Sequence, residues 1–336
     1  MASAHDDPDE VVIAQVARRW QALDPLLSVP AVPATAAADG ERFTAGPPDA
    51  PTGVAACGHW VGTPGSLELC WGTARRFELT ARVAGPDVAG SLDQLLSAWR
   101  GHLAAEPGLD DEETSAVLSW PSRDVEGVTT LLRHGLQPLA VVAVRAGPRN
   151  GPLNGPANGP ANGPAAGSAE PPAGVRIRRA GPADLDAVVL LEHEVVRYDA
   201  HFGGVVDRPW TAAALRAEAE PVLAAVEPWV WLAERDGQPV GVLHAQRPAE
   251  AAWIATLTRP DPVAYNLLTG VRATERGGGV GAALAARFHA QAEAAGVAVT
   301  LLHHTQLNPR SVPFWSQQGY RPLWTIWEAH PASSLR

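Results

Sequence analysis

The sequence predicts a mixed α/β protein built as two units. Three observations carry that expectation. Strand-like and helix-like stretches alternate from residue 175 to 329; residues 146 to 174 read "AGPRNGPLNGPANGPANGPAAGSAEPPAG"; and one strand runs through "RGGGVGAAL" (276–284) into a helix. At 336 residues, 46 % of them hydrophobic, the chain exceeds one ordinary domain and can fill two cores. Proline lacks a backbone donor and glycine raises chain entropy, so the Asn-Gly-Pro repeats at 150, 154, 158 and 162 read as a linker. The expected division is a first unit at 1–145, a flexible linker at 146–173 and a second unit at 174–336.

Composition narrows the chemistry. All 26 basic residues are arginine, so no lysine serves as base, Schiff-base former or phosphate ligand. A net charge of −10 argues against a nucleic-acid partner. Cys57 and Cys70 are too few for a disulfide framework or a zinc site, and no metal is expected. The acidic start "MASAHDDPDE" is unlike a secretory or transit peptide, and no apolar run approaches the roughly 20 residues that span a bilayer. A soluble cytoplasmic protein, with no membrane partner, is the expectation.

In the second unit, "VRIRRA" (175–180) predicts a strand, and 181–198 a helix with Pro182 near its start. Residues 211–226 read as a second helix, and 229–246 as a hairpin turning at Asp236-Gly237. "AYNLLTGVRA" (264–273) is a strand feeding the glycine loop. Val280, Leu284 and Phe288 then form one helical stripe, closed by Gly296. "VAVTLLHH" (297–304) is a buried strand, Asn308-Pro309 opens a short helix, and "PLWTIWEA" (322–329) is expected to close the sheet.

Four glycines exceed what a plain loop before a helix needs. A dinucleotide loop, G-x-G-x-x-A at Gly277, Gly279 and Ala282, calls for an acidic residue on the following strand, and "VAVTLLHH" has none. A Walker loop requires a lysine. The remaining pattern is R-x-x-G-x-G, at Arg276, Gly279 and Gly281. "VRATERGGGVGAAL" resembles the V-x-P-x-x-R-G-x-G-I-G-x-x-L signature of the GNAT N-acetyltransferase superfamily, with Ala273 where proline is common. "NPRSVPFWSQQGY" resembles its N-x-x-A-x-x-F-Y-x-x-x-G-F, with Ser311, Trp315 and Tyr320 substituted. The resemblance covers about 174–330. It implies acetyl-CoA as cosubstrate, with its pyrophosphate on the backbone amides of Gly277, Gly278, Gly279, Val280, Gly281 and Ala282. Glycines permit that approach and the helix dipole favours an anion. Arg272 and Arg276 add charge, and the Val271 backbone would pair with the pantetheine arm as an added strand does.

The first unit looks like a worn copy. A constant offset of 184 places "SRDVEGVTTLLRHGLQPLAVVAV" (122–144) on "QLNPRSVPFWSQQGYRPLWTIWE" (306–328), superposing Asp124 on Asn308, Gly135 on Gly319 and Pro138 on Pro322. "RFELTARV" (76–83) and the helix at 87–103 precede it, without the R-x-x-G-x-G spacing. A degenerate GNAT-like unit that has lost the cofactor is expected; an unrelated α+β domain is the alternative.

Acetyl transfer to an amine needs a base for the ammonium and an acid for the thiolate. Where the family carries its usual acid, a tyrosine, this chain has Trp315, whose indole donates a hydrogen bond but supplies no proton near neutral pH. Asn308 is either a plain helix cap or a pantetheine contact. Tyr265 stands where related enzymes often have glutamate or histidine. His303 and His304 end a buried strand. Glu192 falls within an apolar helix face, where a carboxylate is costly unless it is partnered or faces a cleft, so it is the expected base. Tyr198 and His201 are candidate substrate contacts. The expected activity is N-acetylation of a small amine or exposed amino group; the rival is a non-catalytic acyl-CoA-binding module.

Overall fold

A computed structural model describes residues 8–29, 41–147 and 170–336. The Asn-Gly-Pro repeats lie outside the described residues. The first half runs α1 (Pro8–Leu23), β1 (Arg42–Ala45), β2 (Gly53–Val61), β3 (Arg75–Val83), α2 (Val88–Leu103), β4 (Thr114–Pro121), α3 (Val128–Arg133) and β5 (Gln137–Ala146). The second runs β6 (Val175–Arg179), α4 (Leu185–Asp199), α5 (Thr211–Leu223), β7 (Val230–Arg235), β8 (Gln238–Gln246) and α6 (Ala252–Ala255). It ends with β9 (Val263–Val271), α7 (Val280–Ala294), β10 (Val299–Thr305), α8 (Ser311–Gln317) and β11 (Arg321–Ala329).

Local chemistry accounts for the elements. Asp236 (φ 51°) and Gly237 (φ 76°) both take positive φ, the requirement of a two-residue hairpin turn between β7 and β8. Val280, Leu284 and Phe288 are buried and seat α7 on Trp231, Leu243 and Ala245. On the opposite face, Val188, Leu191 and Val196 of α4 pack with Leu215 of α5 against Leu232, Val242 and Leu268.

All strands join one 11-stranded sheet in the order β1-β2-β3-β4-β11-β5-β10-β9-β8-β7-β6. The halves exchange their last strands. β5 pairs with β10 of the second half, β11 pairs with β4 of the first, and β5 and β11 pair antiparallel with each other. So β11, expected to close the sheet of its own half, lies in the interior of a common one. The offset of 184 explains the geometry. Val141 pairs with Thr325, its own counterpart at that offset, and Leu301↔Val144 is mirrored by Glu328↔Val117. A pseudo-two-fold axis therefore passes through the Val141–Thr325 pair, as in an isologous dimer interface. The core follows the sheet across this axis: Trp20, Trp120 and Trp324 pack edge to face at 6.0 and 5.4 Å.

Candidate active site

The site begins where two parallel strands part. β9 and β10 pair only from Val263↔Val299 to Asn266↔Leu302. Beyond that, β10 pairs with β5 alone and β9 with β8 alone. The register of β9 against β8 shifts between Asn266 and Leu268. Such a bulge bends its strand, and this one falls where the parallel pairing ends. The result is a V whose β9 wall is an unpaired edge. Arg272 N donates to Val240 O, so alternation turns the backbone of Val271 and Thr269 toward the V. The Val271 carbonyl there accepts from Arg276 Nε at 2.9 Å.

At the mouth of the V stands the glycine loop. Gly277 (φ 79°) and Gly279 (φ 86°) occupy left-handed backbone, and Gly279 is the N-cap of α7 without a side-chain cap. Ala283 N is the first amide of α7 to find an intrahelical acceptor, the Gly279 carbonyl. Among the described residues, the N–H groups of 277–282 have no acceptor; for Val280, Gly281 and Ala282 the first turn of any helix dictates this. Arg272 Nε is likewise buried without a partner, and Glu275 of this loop is neutralised by Arg235 Nε at 2.9 Å. Unpaired donors, arginine charge and left-handed glycines fit a phosphate anion. Gly278 is exposed, while Val280 is buried in the core. At Gly281 the constraint is internal: an added Cβ would lie 3.3 Å from the Phe314 ring. Ala273 is exposed in a short turn after the strand, and Ala282 half-buried in the first turn of α7.

Across the mouth, the C-terminal end of α4 meets the segments that follow β9 and β10. The Tyr198 ring carries Arg276 at 4.8 Å and Arg310 at 5.8 Å, cation–π contacts from the two sides of the V. Asp199 Oδ1 accepts from Asn308 Nδ2 at 2.8 Å. Burial pushes the Asp199 carboxyl up to about 6, against the lowering by Asn308 and Arg276. Asn308 Oδ1 meanwhile accepts from the amides of Arg310 and Ser311, so its oxygen serves as cap while one N–H forms the bridge. His201 is exposed and donates Nδ1–H to the carbonyls of Arg197 and Tyr198.

At the closed end of the V, the Tyr265 hydroxyl and His303 Nδ1 share a hydrogen bond of 2.9 Å. Burial pushes the phenol upward and the imidazole down to about 4, so the proton stays on oxygen. Trp253 is 57 % exposed; it meets Tyr265 edge-on at 5.1 Å and lies parallel to His303 at 6.3 Å.

Glu192, expected at a cleft as the base, is 2 % exposed and gives its carboxylate to His244 Nδ1 at 2.8 Å. Of the two ways an apolar face tolerates a carboxylate, the structure uses the partner. Burial lowers the His244 pKa, but the facing carboxylate and its hydrogen bond outweigh that and raise it. Thus the structure brings Tyr198, Arg276, Asn308 and the glycine loop together and leaves Glu192 beneath them. Sequence singles out neither Asp199 nor Trp253: Asp199 falls in the stretch 193–204 expected to line the acceptor pocket, but ends a helix as many solvated aspartates do.

Residues 201–320 match the model of the Acetyltransferase (GNAT) family. That match lies within the second half and covers about a third of the chain. No curated protein matches it significantly. A GCN5-related N-acetyltransferase from Sphaerobacter thermophilus superposes with a TM-score of 0.50 at 14 % identity, over 87 % of this chain and 81 % of that one. The GCN5-related glucosamine N-acetyltransferase region of a fungal multi-domain β-N-acetylglucosaminidase gives 0.51 at 13 % identity, over 96 % of this chain but 37 % of that one. A tandem GNAT protein from the clavulanic acid biosynthesis pathway covers 99 % of this chain at 15 % identity, with a TM-score of 0.47. These likenesses concern the fold.

Two departures from the GNAT pattern stand out. Trp315 is buried among Val141, Ala285, Leu302 and Tyr320, as a core residue. In the first half, the same architecture is sealed. α2 begins at Asp87, whose own carboxylate accepts from Gly90 N at 2.8 Å, so an internal anion holds the position a phosphate would need. The divergence of β3 from β4 is bridged by Trp20, buried against Trp120 on one strand and beneath Arg82 of the other at 5.1 Å. Asp124, the counterpart of Asn308, is locked by Arg19 in a two-pronged pair at 2.6 and 2.5 Å.

Proposed function

We propose that this protein is an acetyl-CoA-dependent N-acetyltransferase acting on a small amine or an exposed amino group, with its single cosubstrate site in the second half. The observation that carries this reading is the contrast within one chain: unpaired amides, left-handed glycines and an open strand edge in one half, against an internal carboxylate and a tryptophan plug in the other. When bound, acetyl-CoA supplies an activated acyl group as a thioester. The amides of 277–282 and the Arg272 and Arg276 charges would hold its pyrophosphate, and the backbone of Thr269 and Val271 its pantetheine amides. Tyr265, kept protonated by burial, and neutral His303 form a hydrogen-bonded pair at the closed end. Tyr198 and His201, at the mouth, would meet the acceptor. We assign the unit boundaries to 1–145 and 174–336, with 146–173 as linker.

Trp315 favours a second reading, a non-catalytic acyl-CoA-binding module. Thiol release separates the two. The full chain with acetyl-CoA and a panel of primary amines should liberate thiol with at least one amine. Tight binding without thiol release from any of them would leave the binding module.

A further inference from the structure

The carboxylate at the mouth of the V is not the one the sequence favours. Asp199 is held by one hydrogen bond, from Asn308 Nδ2 to Oδ1. Among the described residues its Oδ2 takes no hydrogen bond and no arginine forms an ion pair with it. The groups around it are few. Arg276 comes from the glycine loop and is engaged by the Val271 carbonyl and the Tyr198 ring. Arg310, from the segment before α8, lies over the same ring. On its own helix, Arg197 lies 4.0 Å from Asp207, and His201 donates to backbone carbonyls. Asp199 is half-buried, and its free Oδ2 is not among the buried unpartnered atoms, so it opens to the mouth of the V, where a cation would meet it.

The first half shows what a purely structural version looks like. There Asp124, at the position of Asn308, is closed off by a bidentate arginine from α1. The second half keeps the bridge between helix end and strand end but gives its anion no ion pair among the described residues. Resting on the acyltransferase reading, we infer that Asp199 binds the ammonium of the acceptor and takes its proton, so that the acceptor is a cationic primary amine. In that step an N–H bond breaks, the proton forms an O–H bond on Oδ2, and the electron pair stays on nitrogen. The overall exchange then converts an ammonium and a thioester into an amide, a thiol and one released proton.

The test uses the full chain, acetyl-CoA, and spermidine, tryptamine and a lysine-containing peptide as probes. Asp199→Asn should lower kcat/KM for the amine accepted by the wild type about 10²-fold or more, the low end for a positioned base. The acetyl-CoA Kd should change less than twofold. The wild-type rate should rise with pH through a limb near 6 that the variant lacks. A burial-raised carboxyl destabilises the fold as pH rises through its folded value. Asp199→Asn should therefore raise Tm at pH 8 and leave it unchanged at pH 4. Retained kcat/KM, or a Tm lowered at both pH values, would make Asp199 a structural latch and overturn the inference while leaving acyl transfer intact. Bound acetyl-CoA with none of the amines accepted by the wild type would overturn the acyltransferase reading and this inference with it.

Discussion

Gly279 and Gly281 look alike in the sequence and differ in what they answer to. Gly279 has a φ of 86° and begins a helix whose first amides are unpaired. A side chain there is strained by about 1–2 kcal/mol and stands where an anion would approach. Gly281 instead makes room for Phe314. Gly279→Val should weaken coenzyme A binding by calorimetry at least tenfold, about 1.4 kcal/mol, with a modest change in Tm. Gly281→Val should lower Tm first, through the clash with α8. Equal effects of both on Tm and Kd would contradict the distinction. The Glu192–His244 pair belongs to the same scale. Glu192→Ala leaves His244 buried without its partner, which costs about 3–5 kcal/mol. Because the His244 pKa is raised in the fold, its stabilisation is complete below the unfolded value near 6.5. It is lost as pH rises through the folded value. Denaturant unfolding of wild type at pH 6 and pH 9 should show that loss, and Glu192→Gln should not.

Among the elements, those with a strong local signal were legible in sequence: the Asp236-Gly237 hairpin, the apolar stripe of α7, the offset of 184 relating the two C-terminal strands. The exchange of β5 and β11 was not. The two strands share the same pattern and the same preceding glycine turn, so nothing local chooses between the two neighbouring sheets. The parting of β9 from β10 was hidden for a similar reason, since a bulge is a property of pairing rather than of spacing. The exchange has a consequence for truncation. A fragment of 174–336 lacks β5, leaving β10 and β11 with free edges, which invite pairing with another copy. We predict that this fragment sediments as a symmetric dimer in which each β11 replaces the missing β5 of its partner. A well-folded monomer would contradict the strand exchange. A protease site placed between residues 150 and 168 of the full chain should, once cut, yield two pieces that co-migrate on gel filtration and separate only in denaturant.

As a whole molecule, the protein is one sheet carrying two related clefts, of which one is sealed by its own side chains. The first half then acts as a wall. Its Leu67–Trp71 turn packs against α5, Arg208 pairs with Glu113 at 2.6 Å, and Leu139 lies 3.5 Å from the Cβ position of Gly203. The Glu113 carboxyl is held below the usual carboxylate range by the Arg208 hydrogen bond. This contact between halves should therefore weaken as pH falls through that lowered value. The central claim, one working cleft per chain, is tested most directly by the stoichiometry of acetyl-CoA binding to the full chain in calorimetry. The account predicts one molecule per chain in the wild type, one in a variant with Asp87→Ala in the first half, and none at comparable concentrations in Gly279→Val. Two molecules per wild-type chain, or undiminished binding in Gly279→Val, would contradict it.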